Sequence, residues 1–211
     1  RQPAPPMPLM LDTLRAQVTY LLTVASPYDE VVLRITSPGG PVAEYGLAAA
    51  QIARLRAAGV KTTACIDLVA ASGGYMMACV ADRVLASPFA YIGSVGVVAG
   101  APNLSRVLDR GGVEYVQKTS GRFKRTINIF QPNTEEGLAK FQEEIDAVHA
   151  AFKSHVLTFR PELDIDKVAT GEAWLALHAR NLKLVDDLST ADAYLRSRRP
   201  EASLLHLRAK K

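Results

Sequence analysis

A single serine stands between small residues and a glycine pair in the stretch Val69-Ala70-Ala71-Ser72-Gly73-Gly74-Tyr75, and an apolar run without charge follows it. At the start of a helix, the hydroxyl of Ser72 would lie beside backbone N–H groups that have no partner within that helix. This arrangement can present a nucleophile. The same residues also fit an ordinary Ser-Gly-Gly turn before a core helix, so the rest of the chain must supply a base and oxyanion donors.

A serine nucleophile needs a general base, and histidine is the usual one. The four histidines do not fit this role, because all of them lie in predicted helices or in the basic C-terminal tail: His149, His155, His178 and His206. His149 and His155 are six residues apart and face different sides of a helix, which gives no pair of metal ligands. The sequence therefore predicts no Ser-His-Asp triad, no metal site and no cofactor.

A neutral lysine amine can replace histidine as the base, but a free lysine is almost fully protonated at pH 7. Such a lysine must lie in a loop whose neighbours remove water from it. Lys124 fits this requirement, since Phe123 precedes it and the apolar-rich segment 127–130 follows it, and Lys118 is the alternative. Taken alone, either lysine also fits a solvated surface position.

Two glycine-rich turns at predicted strand ends can supply backbone donors for an oxyanion. One donor is the N–H of Gly73, directly after the candidate nucleophile. The other is the N–H of Gly39 or Gly40 in Ser37-Pro38-Gly39-Gly40, because glycine lets a carbonyl group approach the backbone closely. By itself, Ser-Pro-Gly-Gly is typical of a simple turn.

The elements that must position these turns alternate between strands and helices. The apolar patterns predict strands at 30–35, 60–66 and 83–86, a helix at 42–58, and a short helix after Ser72. This βαβαβ order favours an α/β fold on a mostly parallel sheet.

Three further elements are predicted outside this core. The first helix is capped by Asp12 or Thr13, and another strand spans 113–118. A long helix spans about 134–159 and opens with a capping box.

A chain of 211 residues, 48% of them hydrophobic, can bury one large core, and we expect one domain at residues 11–195. The Pro-rich residues 1–10 are expected to be disordered, and residues 196–211 form a basic tail. The net charge of the chain is +4, and all of this positive excess lies in the basic tail. The domain itself is therefore not basic, and nucleic acid is not expected as a partner.

No apolar run reaches the roughly 18 residues of a membrane-spanning helix, and residues 1–10 lack the apolar core of a signal peptide. Because the sequence begins at Arg1, we expect a processed or truncated form. Cys65 and Cys79 lie inside apolar segments and are expected to be small core residues without a disulfide.

Four motifs occur in a specific order: Ser37-Pro38-Gly39-Gly40, Ala71-Ser72-Gly73-Gly74-Tyr75, Gly93-Ser94-Val95-Gly96-Val97, and the loop Ser120-Gly121-Arg122-Phe123-Lys124-Arg125. With this order, residues 11–195 resemble the signal peptide peptidase A family of serine proteases, nearest its SohB-like branch. The resemblance implies a ClpP/crotonase-like fold, with repeated ββα-type units around a mostly parallel sheet and a long C-terminal helix.

The resemblance also implies a role for each matching residue. Ser72 is the nucleophile of a Ser-Lys dyad, and Lys124, 52 residues later, is its general base. The N–H groups of Gly39 and Gly73 bind the oxyanion, and Ser94 hydrogen-bonds the lysine amine. The implied activity is that of a serine endopeptidase, without cofactor or metal, that cleaves extended peptides such as remnant signal peptides or membrane-associated protein segments.

Family members are homo-oligomers that can share their sites between subunits, and this is the expected assembly. They associate with the membrane through a segment that is absent from this chain, and the protease domain is expected on the extracytoplasmic (periplasmic) side. The chain departs from the family pattern at its start, where the anchor and the first strand, a Val-Leu-Asp-Phe-like run, are missing. We expect either truncation or a sheet edge that is completed differently.

Two other functions stay open on the same fold. A crotonase-type acyl-CoA enzyme would use paired amide donors without a serine nucleophile, and it would need an acidic residue at the site, for which Asp67 is the nearest candidate. A non-catalytic, membrane-partnered scaffold is the second alternative.

Overall fold

The computed structural model describes residues 7–207. It contains a six-stranded sheet, and the glycine-rich turns follow two of its strands. Its strands follow the order β5-β4-β2-β3-β6, with β1 paired to β2, and all pairs are parallel except β4 with β5. The predicted α/β class with a mostly parallel sheet is confirmed. The strands are β1 Glu30–Ser37, β2 Lys61–Ala71, β3 Arg83–Ala86, β4 Tyr91–Gly93, β5 Ala173–Leu175 and β6 Asp187–Leu188.

Eight helices connect and flank these strands within the described residues. They are α1 Met7–Val24, α2 Val42–Ala57, α3 Gly73–Ala78, α4 Ser105–Arg110, α5 Glu135–Phe159, α6 Ile165–Val168, α7 Ala176–Ala179 and α8 Ala191–Arg198. The chain divides into two compact units, one made of the residues up to 96 and from 152 on, the other of residues 97–151. The whole sheet belongs to the first unit.

Strand β2 is the centre of the sheet and carries Ser72 at its end. Its first half pairs with β1 and β3, and its last three residues pair with β4, so that Ala71 is opposite Gly93. The predicted end of this strand at residue 66 was therefore wrong. The polar Asp67 interrupts the apolar run, but its carboxylate accepts hydrogen bonds from Arg34 and from the N–H of Ala191, and the strand continues through it.

Both faces of the sheet are covered. Ile66 and Ile92 point into the larger core cluster with Tyr75, whereas Cys65 packs on the other face with Tyr194 of α8. Such an alternation follows from the two-residue period of a strand. Cys65 and Cys79 are free buried thiols, as expected of small core residues; burial is the main cause that raises their pKa values, to about 11 for Cys65 and about 12 for Cys79.

Helix α1 begins earlier than predicted. It starts at Met7, so a cap at Asp12 or Thr13 is wrong. Pro8 lies within the first turn, where a residue needs no N–H for helical hydrogen bonding. The predicted disordered segment 1–10 overlaps this helix at residues 7–10, while residues 1–6 lie outside the described part of the chain.

The second unit contains no strand among its residues 97–151, so the predicted strand at 113–118 is wrong. Val113, Tyr115 and Val116 are exposed there, and no neighbouring strand offers a ladder of hydrogen bonds. The predicted long helix is confirmed as α5, and the side chain of Thr134 accepts the N–H of Gly137 at 3.0 Å before its first turn.

The C-terminal tail is partly folded. Helix α8 extends to Arg198, and the carbonyl of Leu207 accepts a hydrogen bond from the side chain of Gln17 at 3.3 Å. Residues 208–211 lie outside the described part of the chain. Among the helices of residues 7–207, none combines the length and the apolar character that a bilayer crossing requires.

A bidentate ion pair links the residue directly after α5 to the loop before β6. Arg160 binds both carboxylate oxygens of Asp186 at 2.9 and 2.6 Å, and Asp186 also accepts the N–H of Val84 at 2.6 Å. Burial disfavours the charged form of Asp186, but the bonds from Arg160 and Val84 outweigh it and lower the pKa of this carboxyl. The ionised carboxylate therefore stabilises the folded state.

We expect Asp186→Asn to lower the free energy of unfolding at pH 7 by about 1–2 kcal/mol, a value reduced for the partial exposure of the pair. Because the folded pKa lies below the unfolded value of about 3.9, the stabilisation is complete above that pH and disappears as the pH falls through the folded value. Urea unfolding between pH 7 and pH 3 measures the difference, with the exposed Asp12→Asn as control. A constant difference across this range would contradict the role of the charge.

Candidate active site

Ser72 occupies a strained turn between β2 and α3. Its φ of 52° and ψ of −122° are unusual for a residue with a side chain. The N–H of Ser72 donates to the carbonyl of Gly93 at 2.8 Å, and its own carbonyl accepts the N–H groups of Tyr75 and Met76. Backbone of this kind costs about 1–3 kcal/mol and persists where surrounding contacts impose it, as in the strand-to-helix turns that present nucleophiles.

The hydroxyl of Ser72 is not used to cap the helix that follows. Ser72 is the residue before α3, yet its side chain makes no capping hydrogen bond, and it is half-buried. An ordinary Ser-Gly-Gly turn would use the serine oxygen to accept an N–H of the first helical turn. The geometry therefore favours a presented nucleophile over a structural cap.

Gly39 lies directly against Ser72, as the predicted site requires. A Cβ added at Gly39 would lie 2.7 Å from the Cβ of Ser72 and 2.9 Å from the nitrogen of Gly73, and Gly39 has a φ of +97°. Only glycine fits this space and this conformation. The structure thus brings Ser72, Gly39 and Gly73 together at the carboxyl ends of β1 and β2.

The two predicted oxyanion donors differ in their hydrogen bonds. Gly73 is the first residue of α3, and an N–H at this position has no acceptor within the helix. The N–H of Gly39 donates to the side-chain oxygen of Ser37 at 3.3 Å, which is slightly longer than usual for such a bond.

Tyr45 is a residue of this site that the sequence analysis missed. Its buried ring lies against both Gly40 and Gly73, and its hydroxyl is 2.7 Å from the oxygen of Ser37. The signal in the sequence is the glycine pair 39–40 followed by an aromatic residue in the first turns of α2. That signal does not reveal that Gly73, far along the chain, meets the same ring.

Ser94 lies at the end of β4, next to the residue that binds the N–H of Ser72. It also has a positive φ of 52°. Its N–H donates to the carbonyl of Glu172 at 2.6 Å, and its hydroxyl donates to the carbonyl of Gly171 at 3.2 Å. The predicted hydrogen bond from Ser94 to the lysine amine stays a prediction.

Lys124 belongs to the second unit, where it lies in an exposed loop. The preceding Phe123 ring carries the Arg122 guanidinium at 5.1 Å on its surface and the Lys140 amine at 5.6 Å, and Arg122 forms an ion pair with Glu136. These contacts hold the loop on the first turns of α5. The pairing of Lys124 with Ser72 stays a prediction, and the alternative base, Lys118, is exposed in the same unit.

Residues before and after this loop form a network of hydrogen-bonded side-chain amides. Asn128 donates its side-chain amide to Gln117 at 2.6 Å and to Gln131 at 3.1 Å, and its backbone N–H donates to Asn133 at 2.7 Å. These residues surround a polar cavity of about 170 Å³, which Arg125 also lines. The loop that carries Lys124 is thus fixed at both ends.

Two other polar residues that could do chemistry, His155 and Asp67, have structural partners. His155 is 2.9 Å from the carbonyl of Met76, and its ring contacts Phe159 edge-on. Asp67, the acid that a crotonase-type enzyme would need, is held by Arg34 at 3.1 Å and by the N–H of Ala191 at 2.8 Å. Within residues 7–207, no three side chains of His, Cys, Asp or Glu form a group that could hold a metal ion.

Sequence models of two families match the chain. Residues 54–204 match peptidase family S49, and residues 10–52 match the N-terminal region of peptidase family S49. Together these matches cover nearly the whole of the chain.

Curated proteins give the same result. The chain is 49% identical over 195 residues to the probable protease SohB of Haemophilus influenzae, and 44% identical over 198 residues to the putative protease SohB of Buchnera aphidicola. These alignments cover 92% and 94% of this chain but only 55% and 57% of the relatives, so the chain spans little more than half of their length. A putative protease of Synechocystis is 30% identical over 184 residues, which are 85% of this chain and 66% of that protein. The chain therefore belongs to peptidase family S49, as its motifs predicted, and its mostly parallel sheet is that of the ClpP/crotonase-like fold.

Proposed function

We propose that this chain is the protease domain of a serine endopeptidase that uses Ser72 and Lys124 as a catalytic dyad. The observation that carries the proposal is the strained turn at Ser72, whose hydroxyl caps no helix and against which the backbone of Gly39 and Gly73 is packed. The names of the relatives, which are probable or putative proteases, support the same activity.

In the proposed reaction, the neutral amine of Lys124 takes the proton of the Ser72 hydroxyl while the serine oxygen attacks the carbonyl carbon of the scissile peptide bond. The N–H groups of Gly39 and Gly73 bind the oxyanion that forms. The intermediate then expels the amine of the leaving peptide, which takes the proton from Lys124. Water, deprotonated by the same amine, hydrolyses the acyl-enzyme and restores Ser72.

The proposed site is completed in a homo-oligomer. Lys124 is exposed in the single chain, whereas a lysine acts as a general base only where water is excluded from its amine, so a neighbouring subunit or the substrate must cover it. Within residues 97–151, no apolar side chain is fully buried, and ten large ones are exposed, among them Val107, Val116 and Leu138. Apolar exposure on this scale is typical of an interface, which supports sites shared between subunits.

The proposed substrates are extended peptides, such as remnant signal peptides or membrane-associated protein segments. A location at the membrane, through a segment outside this chain, with the protease domain on the periplasmic side, is part of the same proposal. Both rest on the resemblance to the family.

A fluorophosphonate probe tests the dyad directly. We expect the wild-type protein to be labelled at Ser72 and at no other serine, as read by mass spectrometry of its peptides. Lys124→Met should slow labelling and peptide cleavage at least about 100-fold, because the hydroxyl then lacks its base. The matched control is Lys118→Met, an exposed lysine of the same unit, which should leave both rates unchanged. Labelling elsewhere, or equal losses in the two variants, would contradict the assignment.

A further inference from the structure

The Tyr45 ring fills the space between the two glycine-rich turns of the site. A Cβ added at Gly73 would lie 2.3 Å from Cγ of Tyr45, and one added at Gly40 would lie 2.8 Å from Cε2 of the same ring. Tyr45 itself is only 5% exposed. One side chain therefore sets the distance between the turn after β1 and the turn after β2.

The hydroxyl of Tyr45 is connected to the Gly39 N–H, a candidate oxyanion donor, through the hydroxyl of Ser37. It shares a 2.7 Å hydrogen bond with the hydroxyl of Ser37, and the oxygen of Ser37 accepts the N–H of Gly39 at 3.3 Å. Ser37 is 8% exposed, so water does not compete freely for this bond. Tyr45 thereby fixes the rotamer of Ser37, and Ser37 fixes the plane of the peptide group that carries the Gly39 N–H.

Packing contacts hold the backbone around Gly39 on the side opposite the Ser37 hydroxyl. The Gly39 backbone is packed on the Cβ of Ser72, and the carbonyl of Ser37 is packed on Gly74. The peptide group before Gly39 is thus held between the nucleophile turn on one side and the Ser37 hydroxyl on the other. Without the Ser37 contact, only the packing against the Ser72 turn orients this group, because glycine itself imposes little restriction.

We propose that Tyr45 is a positioning residue of the oxyanion site, which acts through Ser37 on the N–H of Gly39. The proposal rests on the proposed function. In the free protein, the 3.3 Å bond to Ser37 orients the Gly39 N–H without binding it tightly, so that the N–H can donate to the oxyanion as a second partner while Ser37 still holds the peptide group. Pre-alignment of donors of this kind accounts for a large share of catalytic rate.

Tyr45→Phe tests the proposal, because it keeps the ring between Gly40 and Gly73 and removes only the hydroxyl. We expect the rate of fluorophosphonate labelling at Ser72 and kcat for a peptide to fall about tenfold, with KM changed less than about twofold. The matched control is Tyr194→Phe, which removes a buried tyrosine hydroxyl that bonds Glu30 on the other face of the sheet. It should leave both rates unchanged. Equal rates in Tyr45→Phe and wild type would overturn the proposal.

Ser37→Ala provides the second variant and shows whether the two residues act in one path. Because Tyr45 acts through Ser37, the double variant should be no slower than Ser37→Ala alone. Independent, multiplicative losses would overturn the proposal, since Tyr45 would then act on the site by another route.

Hydrogen exchange of the Gly39 amide separates this proposal from the proposed function. Exchange measured on the peptide that contains Gly39 should become faster in Tyr45→Phe and in Ser37→Ala, and stay unchanged in Tyr194→Phe. This readout needs no catalysis. A wild-type protein that is not labelled at Ser72 would defeat the proposed function, whereas unchanged exchange in Tyr45→Phe would defeat the positioning role of Tyr45 alone.

Discussion

We expect Ser72→Ala protein to show no measurable peptide cleavage and no fluorophosphonate labelling, and to unfold at the same urea concentration as wild type. Activity should fall by at least about 10³-fold, because the proposed site contains no other group that can form the acyl-enzyme. Stability should be retained, because the Ser72 hydroxyl makes no capping bond and alanine accepts the strained backbone no worse than serine does. Initial rates with a fluorogenic peptide, together with urea unfolding, measure both effects.

The control for this substitution is Ser94→Ala, which changes the other serine with a positive φ. Its hydroxyl donates to Gly171, and in the proposed site it only supports the base. We expect a partial loss of cleavage with labelling at Ser72 retained. Cleavage that persists in Ser72→Ala would show that another residue is the nucleophile.

Mixing inactive proteins extends the same experiment to the assembly. If each site takes its serine and its lysine from different subunits, Ser72→Ala and Lys124→Met protein should regain part of the wild-type activity when they are unfolded and refolded together. Each protein refolded alone should stay inactive. A mixture that stays inactive while it forms mixed oligomers would place both residues of the dyad in one subunit.

Gly74→Ala is the second substitution with a large expected effect, in this case on stability. The added Cβ would lie 2.3 Å from the carbonyl oxygen of Ser37 and 3.1 Å from its carbonyl carbon. These are backbone atoms at the end of β1, which cannot move aside as a flexible side chain does. We expect the free energy of unfolding to fall by about 3 kcal/mol, measured by urea unfolding.

Gly46→Ala is the matched control, because the residue is inside α2 and, apart from its chain neighbours and the backbone of this helix, no atom lies within 4 Å of the added Cβ. Alanine there should stabilise the protein by about 0.5–1 kcal/mol, since it favours the helix. If both variants had wild-type stability, the contact between α3 and the end of β1 would be wrong, and with it the arrangement of the two glycine-rich turns.

Much of the fold could be predicted because its signals are local. The strand at 30–35 and the helix at 42–58 lie within two residues of β1 and α2 at each end, since an apolar run and a 3.6-residue period each express one buried face. The strand predicted at 113–118 failed for the opposite reason. A β-branched run favours a strand only where a neighbour pairs with it, and residues 97–151 contain none.

The candidate site likewise contains residues that the sequence reveals and residues that only the structure reveals. Ser72 could be found because a lone serine before a glycine pair, at a strand-to-helix junction, is a pattern of adjacent residues. The role of Tyr45 could not be found, because its ring meets Gly40 nearby and Gly73 only through the pairing of β1 with β2. Asp67 had the right chemistry for an acid, but its engagement by Arg34 and Ala191 depends on residues 33 and 124 positions away.

The sequence by itself determined the βαβαβ order from β1 to β3, the family and the identity of the candidate nucleophile, since each depends on neighbouring residues. Only the tertiary structure decided that Gly39 lies against Ser72, that Ser37 holds the Gly39 N–H, and that Tyr45 spaces the two turns. The physical reason is that these contacts join residues from different strands and helices. Their distances depend on strand register and packing, which no single stretch of sequence specifies.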